Sequence, residues 1–482
     1  MALFTVEELR EIVSAKVLAG EGVGWTKHRI RRISLDSRSL QPGDLFLALR
    51  GDRFDGHDFL ATALSRGAVG AIALDSYDVS TLALKRGSKK VSPFIFGVSD
   101  PLYAYQQLAT YHRSRFEIPV VAVTGSNGKT TTKEMVAQIM AQRWKILKTE
   151  GNLNNRVGVP QTLLRLTDRH KGAVIEMGVD HLGQTARLCE IATPTIGILT
   201  NIGPDHLEFF GTMEASARAK AELLDYLPSN GSVILNADDP YYDYLVARAR
   251  CRVVSFGFSS KADVRATDMK SDGRHGTSFR LLLPGTVRRT LVHIRVQGNH
   301  NVANALAAGA VGAVMGLSGG VIAQGLSRFR PAAMRSQVLV HQGVKVIVDC
   351  YNANPASMKA AVQLLAQTAA KRKRIAVLGD MLELGPDAVQ MHEEVGAFLT
   401  GQGIDQLVAC GPFGRSLAKG AKQAGLDHSH ILEVPDAKAA AIAVKTIVTS
   451  GDVVLIKASR GMKLERVADA LQGQTRTTKK AS

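Results

Sequence analysis

The sequence predicts an α/β protein of three domains, and three observations predict it. At 482 residues the chain is longer than one hydrophobic core organises, which gives roughly three domains of about 100 to 200 residues. From Pro119 onward, apolar runs of strand length alternate with segments of helical period, the pattern of a largely parallel sheet covered by helices. That alternation breaks once, over residues 276–331, and then resumes, so two such sheets follow a smaller first module.

The first module, residues 1–98, alternates short apolar runs (DLFLAL, AVGAIAL) with polar turns and reads as a small α/β unit without a nucleotide loop. Its opening MALFTVEELREIV reads as an amphipathic helix and lacks the basic flank and apolar core of a secretion signal. Residues 99–331 form the expected central domain, with strands in VVAV, AVIEMG, TIGILTN and SVILNAD. The segment GTSFRLLLPGTVRRTLVHIRVQ reads as consecutive strands around a Pro-Gly turn, an antiparallel extension of the central sheet. A helix is expected from near Asn301. Ala305–Ala323 is uncharged and about as long as a bilayer span, but Gly316, Gly319 and Gly320 mark a helix end in its middle, so it reads as a buried helix followed by a loop. Residues 332–482 form the expected third domain, with strands in KVIVDC, RIAVLGD, QLVACG, HILEV and VVLIKAS and a Rossmann-like, doubly wound order. No GxGxxG follows its first strand, so no dinucleotide is assigned to it.

A formal charge of +17 favours polyanionic ligands, yet the excess is scattered, and most of it, with the tail TRTTKKAS, reads as solvated surface. Aromatic residues make up 5% of the chain, too few for a base-stacking surface, so no nucleic-acid partner is expected. Cys189, Cys251, Cys350 and Cys410 lack metal-ligand spacing and fit free thiols of a cytoplasmic protein.

The chemistry concentrates in VVAVTGSNGKTTTKE: an apolar strand, a tight turn through Gly125, Ser126, Asn127 and Gly128, then Lys129, Thr130 and Thr131 opening a helix placed at Thr130. Backbone N–H groups in such a turn converge on phosphate oxygens, the helix N-terminus favours negative charge, Lys129 reaches terminal phosphates and Thr130 suits Mg²⁺. The usual longer signature wants glycine where Val123 stands, so the loop is a shortened one. Glu176 and His206 each follow a strand end and are expected on the same sheet edge, where ligands of α/β proteins bind. Glu176 reads equally as a surface acid or a metal ligand, and spacing does not settle whether His206 is structural. Lys220, in SARAKAEL, reads as a solvated helix lysine.

Taken together, TGSNGKTTTKE, IEMG, NIGPDHLEFFGT, SARAKAEL, GNHNVANALAA, DCYNANPASM and KASRGMKLE resemble the Mur ligases of peptidoglycan synthesis, in matching order from Ser34 to Glu465. TEGNLNNRVGVPQTLL and DCYNANPASM are most similar to the member that adds D-alanyl-D-alanine to UDP-N-acetylmuramoyl-tripeptide. The resemblance implies an ATP- and Mg²⁺-dependent ligase working as a monomer through an acyl phosphate. It implies a UDP-binding first domain with Ser37 and Arg38 at the uridine diphosphate, and Asn154 and Asn155 facing the tripeptide. It places His300, Asn301 and Asn304 near adenine, Asp349 at the ribose and Arg335 near the terminal phosphate. Tyr351, Asn352, Asn354, Ser459 and Arg460 would border the dipeptide. Lys220, carbamylated, would join Thr130, Glu176 and His206 as a metal ligand. The readings left beside this one are a sibling ligase adding the third amino acid, a folate polyglutamylating ligase, and, from another class, a nucleic-acid-coupled NTPase.

Overall fold

Alternate residues along the strands of the third sheet belong to two separate cores, and that alternation builds a doubly wound layer structure. Ile347, Ala376, Leu378, Leu407, Ala409 and Leu455 face one core with the helices Pro355–Gln367, Ala388–Thr400 and Gly414–Gln423. Val346, Val348, Ile375, Val377, Val408 and Ile456 face the other, with the helices Ala437–Ile447 and Glu465–Leu471. The computed structural model describes residues 3–20, 29–51, 53–82, 93–271 and 276–473; the basic tail lies outside the described residues.

The chain packs as two compact units. The first comprises Met1–Val120, Leu147–Ile175 and Arg187–Pro194. Its five-stranded sheet runs Lys16–Ala19, Phe94–Val98, Gly70–Leu74, Leu45–Leu47, Ile33–Ser34, parallel except for the first pair. The chain start differs from the single helix expected: Phe4–Thr5 is a strand paired with Arg29–Ile30, and the helix is Val6–Ile12. Thr5 and Glu8 form a reciprocal capping box, which satisfies the first free N–H groups and stops the helix from extending backward.

The second unit comprises Val121–Ile146, Glu176–Ala186 and Thr195–Ser482 and holds two sheets. In the central one Val120–Thr124, Ile196–Leu199, Ser232–Asn236, Arg252–Gly257 and Val264–Ser271 lie side by side in parallel. Thr277–Leu282 and Thr290–Ile294 then add the expected antiparallel extension. The helix after it begins at Asn299 and ends at Val314, and the uncharged stretch continues not as a loop but into a second helix, Gly319–Arg328, capped by Ser318. No helix among the described residues is long and apolar enough to cross a membrane.

The third sheet runs Gln337–His341, Val344–Val348, Val453–Lys457, Arg374–Gly379, Gln406–Cys410, Ile431–Val434. Every neighbour is parallel except the edge strand Gln337–His341, which the sequence reading did not list. Three adjacent strands therefore end side by side, at Asp349, at Ala458 and Ser459, and at Asp380.

Candidate functional site

The parallel register of Val120–Thr124 with Ile196–Leu199 releases two loops at one sheet edge. The first is the glycine-rich turn. Gly125 and Gly128 take φ of +132° and +80°, and an added Cβ would lie 2.1 Å from Thr200 Oγ1 or 2.2 Å from Asn304 Oδ1. Both positions need glycine for backbone shape and for close approach. Gly128 is the N-cap of the helix Lys129–Met140, one residue earlier than expected because the left-handed glycine itself makes the turn. No side chain caps that helix end, so its N–H groups face the turn.

Lys129 folds back over the turn, donating from Nζ to the carbonyls of Gly125 at 2.5 Å and Ser126 at 3.2 Å. Burial lowers its pKa and nearby Arg335 adds to the effect, while Asp205 and Glu176 oppose it. Thr130 Oγ1 donates to Glu176 Oε1 at 3.0 Å, and Glu176 is 2% exposed. The buried Lys133 Nζ lies 3.7 Å from Glu176 Oε2 and 2.9 Å from Glu134. Met177 N donates to Val123 O, which brings the end of the Glu176 strand alongside the strand that precedes the glycine-rich turn.

The second loop carries a residue that the sequence reading passed over. Asp205 Oδ1 accepts from Ser126 Oγ at 2.6 Å and from Lys220 Nζ at 2.9 Å. Its Oδ2 is buried without a hydrogen-bond partner among the described residues. Lys220 is 1% exposed, not solvated: it donates to Ser216 Oγ at 2.6 Å and sits 4.8 Å from the centre of the Phe210 ring. Its helix, Met213–Asp225, turns this face inward, and burial lowers the lysine pKa against the opposing pull of Asp205. His206 follows in left-handed backbone, with Nδ1 2.5 Å from Glu383 Oε2. Thus the structure brings Thr130 to Glu176 and Lys220 to Asp205, and sets His206 against Glu383. No group of three or more His, Cys, Asp and Glu capable of holding a metal occurs among the described residues.

Two further helices and the third sheet face the turn. Thr132 Oγ1 donates to Asn304 Oδ1 at 3.2 Å, and Asn301 Nδ2 donates to Gln297 O and lies 3.1 Å from His300 Nε2. Burial lowers the His300 pKa, with Asp349 opposing and Lys457 reinforcing, so these three groups share one neighbourhood. Lys457, a lysine at the end of an apolar strand and missed in the sequence, is buried and donates to Asp349 Oδ2 at 2.7 Å and to Asn352 O at 3.0 Å. Asn354 caps the helix Pro355–Gln367, and its Nδ2 donates to Asn127 Oδ1 in the glycine-rich turn at 2.9 Å. The Arg335 guanidinium stacks 4.0 Å from the centre of the Tyr351 ring. Ser459 Oγ accepts from Leu382 N, and Arg460 pairs with Glu465.

In the first unit, Arg38 pairs with Asp36 on the surface beside the buried Ser37, and Asn155 Oδ1 accepts from the N–H groups of Val157 and Gly158. Asn154 is half-buried one residue earlier.

Asp380, at the end of the strand Arg374–Gly379, accepts from Phe413 N at 3.0 Å, but burial dominates and pushes its carboxyl up to about 6. A folded value raised above the unfolded one adds stability that is whole below about pH 4 and is lost as pH rises through about 6. Asp380→Asn keeps an acceptor for Phe413 N and removes the titration. Relative to this variant, the wild type is expected to lose roughly 2–3 kcal/mol between pH 4 and pH 7, read by urea denaturation at both pH values. A constant difference would refute that assignment.

The comparisons with known proteins bear on the family and the fold. Sequence matches fall to the Mur ligase family, catalytic domain over residues 29–93, the Mur ligase middle domain over 123–312, and the Mur ligase, glutamate ligase domain over 334–460. The UDP-N-acetylmuramoyl-tripeptide–D-alanyl-D-alanine ligase of Bacillus subtilis is 34% identical over 468 residues, 97% of this chain and 98% of that one. The crystal structure of MurF from Acinetobacter baumannii superposes with a TM-score of 0.86 at 31% identity, covering 98% and 99% of the two chains. The MurF ligase of Thermotoga maritima, solved in complex with ADP, gives 0.79 at 30% identity over 92% and 97%. With three matched domains in order and full-length relatives above 30% identity, the chain belongs to the Mur ligase family.

Proposed function

We propose that this ATP-dependent ligase joins D-alanyl-D-alanine to the terminal carboxylate of UDP-N-acetylmuramoyl-tripeptide, giving the pentapeptide, ADP and phosphate. The observation that carries the reading is the phosphate turn with Lys129 folded over it, touched by Asn354 of the third sheet's first helix. The full-length relatives named for this reaction support the choice of substrates.

A carboxylate resists attack by an amine, so it is first phosphorylated by ATP to an acyl phosphate; the amine then forms the amide and phosphate leaves. Lys129 and Arg335 would offset charge on the transferring phosphoryl group, and the N–H groups at Gly128 and beyond would hold its neighbours. His300, Asn301, Asn304 and Asp349 would seat the nucleoside, with Lys457 fixing the Asp349 carboxylate. Residues 1–98, with Ser37 and Arg38, would take the uridine diphosphate, and Asn154 and Asn155 the peptide. Residues 332–482 would present the dipeptide between Tyr351, Asn352, Asn354, Ser459 and Arg460. We assign residues 99–331 to ATP.

Mg²⁺ fits the hydroxyl and carboxylate of Thr130 and Glu176, which stand 3.0 Å apart beside the phosphate turn. Such hard oxygens, completed by water and substrate phosphates, are its usual ligands. When bound, the ion would neutralise phosphate charge. His206 and a carbamylated Lys220 are the further ligands proposed; a cytoplasmic, monomeric enzyme acting on small molecules is the setting.

Mass spectrometry of the product made from ATP, UDP-N-acetylmuramoyl-tripeptide and D-alanyl-D-alanine tests the reading. The expected product is the pentapeptide. Amide formation only with diaminopimelate, lysine or glutamate as the amine, or ATP turnover driven by nucleic acid alone, would overturn it.

A further inference from the structure

The segment Asp380–Asp387 (DMLELGPD) has no part in the chemistry above, yet it clasps the turn that follows Asp205. Glu383 Oε2 lies 2.5 Å from His206 Nδ1, and Glu383 O accepts from Glu208 N at 3.1 Å. An added Cβ at Gly385 would sit 3.5 Å from the Glu208 backbone, so the two loops touch along their length. Both partners are held in left-handed backbone, His206 at φ +53° and Glu383 at φ +64°, which costs free energy in a residue with a Cβ. The side chains are 27% and 45% exposed, so the contact itself contributes little to stability. A strained, weakly stabilising contact kept at a site edge points to a role other than folding.

We propose that Glu383 is a positioning residue that sets the His206 ring and ties the seating of the third sheet's loops to the phosphate turn. A carboxylate accepts hydrogen bonds and donates none, so in the neutral ring the contact selects the tautomer with the proton on Nδ1 and leaves the Nε2 lone pair to face a ligand. His206 follows directly on Asp205, which holds Ser126 of the phosphate turn. Loss of the Glu383 contact therefore frees the ring and loosens a link from the third sheet toward the phosphate turn, which Asn354 also touches through Asn127.

The test uses the full chain with ¹⁵N-labelled histidine, the His206 resonances identified by their absence in His206→Gln. In the wild type the His206 signals should show the proton on Nδ1. Glu383→Ala should shift them to the Nε2-protonated pattern, Glu383→Asp, one methylene too short, should do the same, and Glu383→Gln, whose amide oxygen still accepts, should keep the wild-type pattern. The kinetic arm rests on the ligase reading: Glu383→Ala should raise KM for the dipeptide about 10- to 100-fold without changing ADP affinity, and Glu383→Gln should restore it. The spectra need no substrate and stand even if the ligase assay is silent. An unchanged ring pattern in both Glu383→Ala and Glu383→Asp, or Glu383→Gln as altered as Glu383→Ala, overturns the proposal.

Discussion

Replacing Lys129 with alanine is expected to lower ADP-forming turnover by about 100- to 1,000-fold, the loss that follows removal of one preorganised charge from a phosphoryl-transfer site. The geometry makes the lysine hard to replace. Its Nζ is anchored on two carbonyls of the turn, Gly125 O and Ser126 O, so the ammonium is placed before a nucleotide arrives and needs little reorganisation. Burial lowers its pKa, and the carboxylates Asp205 and Glu176 counter that tendency, favouring the charged form that the chemistry requires. Lys129→Arg should not restore activity, because a planar fork does not fit where a single ammonium contacts two carbonyls of one turn. Coupled ADP release measures turnover, and a thermal melt checks the fold. Turnover near the wild-type value in a folded Lys129→Ala protein would remove the lysine from the mechanism.

Local chemistry explains which parts of this site the sequence displays. Gly125, Gly128, Lys129 and Thr130 are legible because they are adjacent in the chain and their spacing alone builds the turn. The sheets are legible because strands with alternate residues facing two cores must be continuously apolar between their ends, as Ile375, Ala376, Val377 and Leu378, and Val453, Val454, Leu455 and Ile456, are. Lys220 was misread because helical period says which residues share a face, and an Ala-rich face bearing one lysine resembles surface until Asp205, 15 residues earlier, is brought beneath it. Asp205 itself was overshadowed by its neighbour His206, although an acid between Pro204 and a histidine at a strand exit was a usable signal. Glu383 could not have been found, since its partner is 177 residues away and only tertiary packing joins them.

With Lys220 unmodified, Asp205→Ala is expected to destabilise the protein by about 3–5 kcal/mol, because it leaves the buried Lys220 ammonium without its counter-charge. Lys220 is then left with Ser216 Oγ and the face of Phe210, neither of which replaces a carboxylate in a buried setting. Lys220→Ala should cost a similar amount for the mirror reason, as Asp205 would keep its bonds from Ser126 and Ser216 and the charge of Lys129 but lose the cation bonded to it. Removing both charges in Asp205→Ala/Lys220→Ala should cost less than the sum of the two single changes, which distinguishes a coupled pair from two independent packing losses. The pH dependence has a definite sign. Burial acts to raise the Asp205 carboxyl, but Lys220 and Lys129, with the bonds from Ser126 and Lys220, outweigh it and hold the carboxyl below the ordinary aspartate range. Its contribution is therefore present above the ordinary aspartate pKa and is lost as pH falls through the lower folded value, a loss that Asp205→Asn should not show. Chemical rescue separates structure from chemistry at the same position. If Lys220 works as a carboxylate-bearing carbamate, formate or acetate should return part of the turnover of Lys220→Ala while leaving its urea midpoint unchanged. Additive costs in the double variant would disprove the coupling, and a folded Lys220→Ala enzyme with full activity would confine that lysine to holding Asp205 in place.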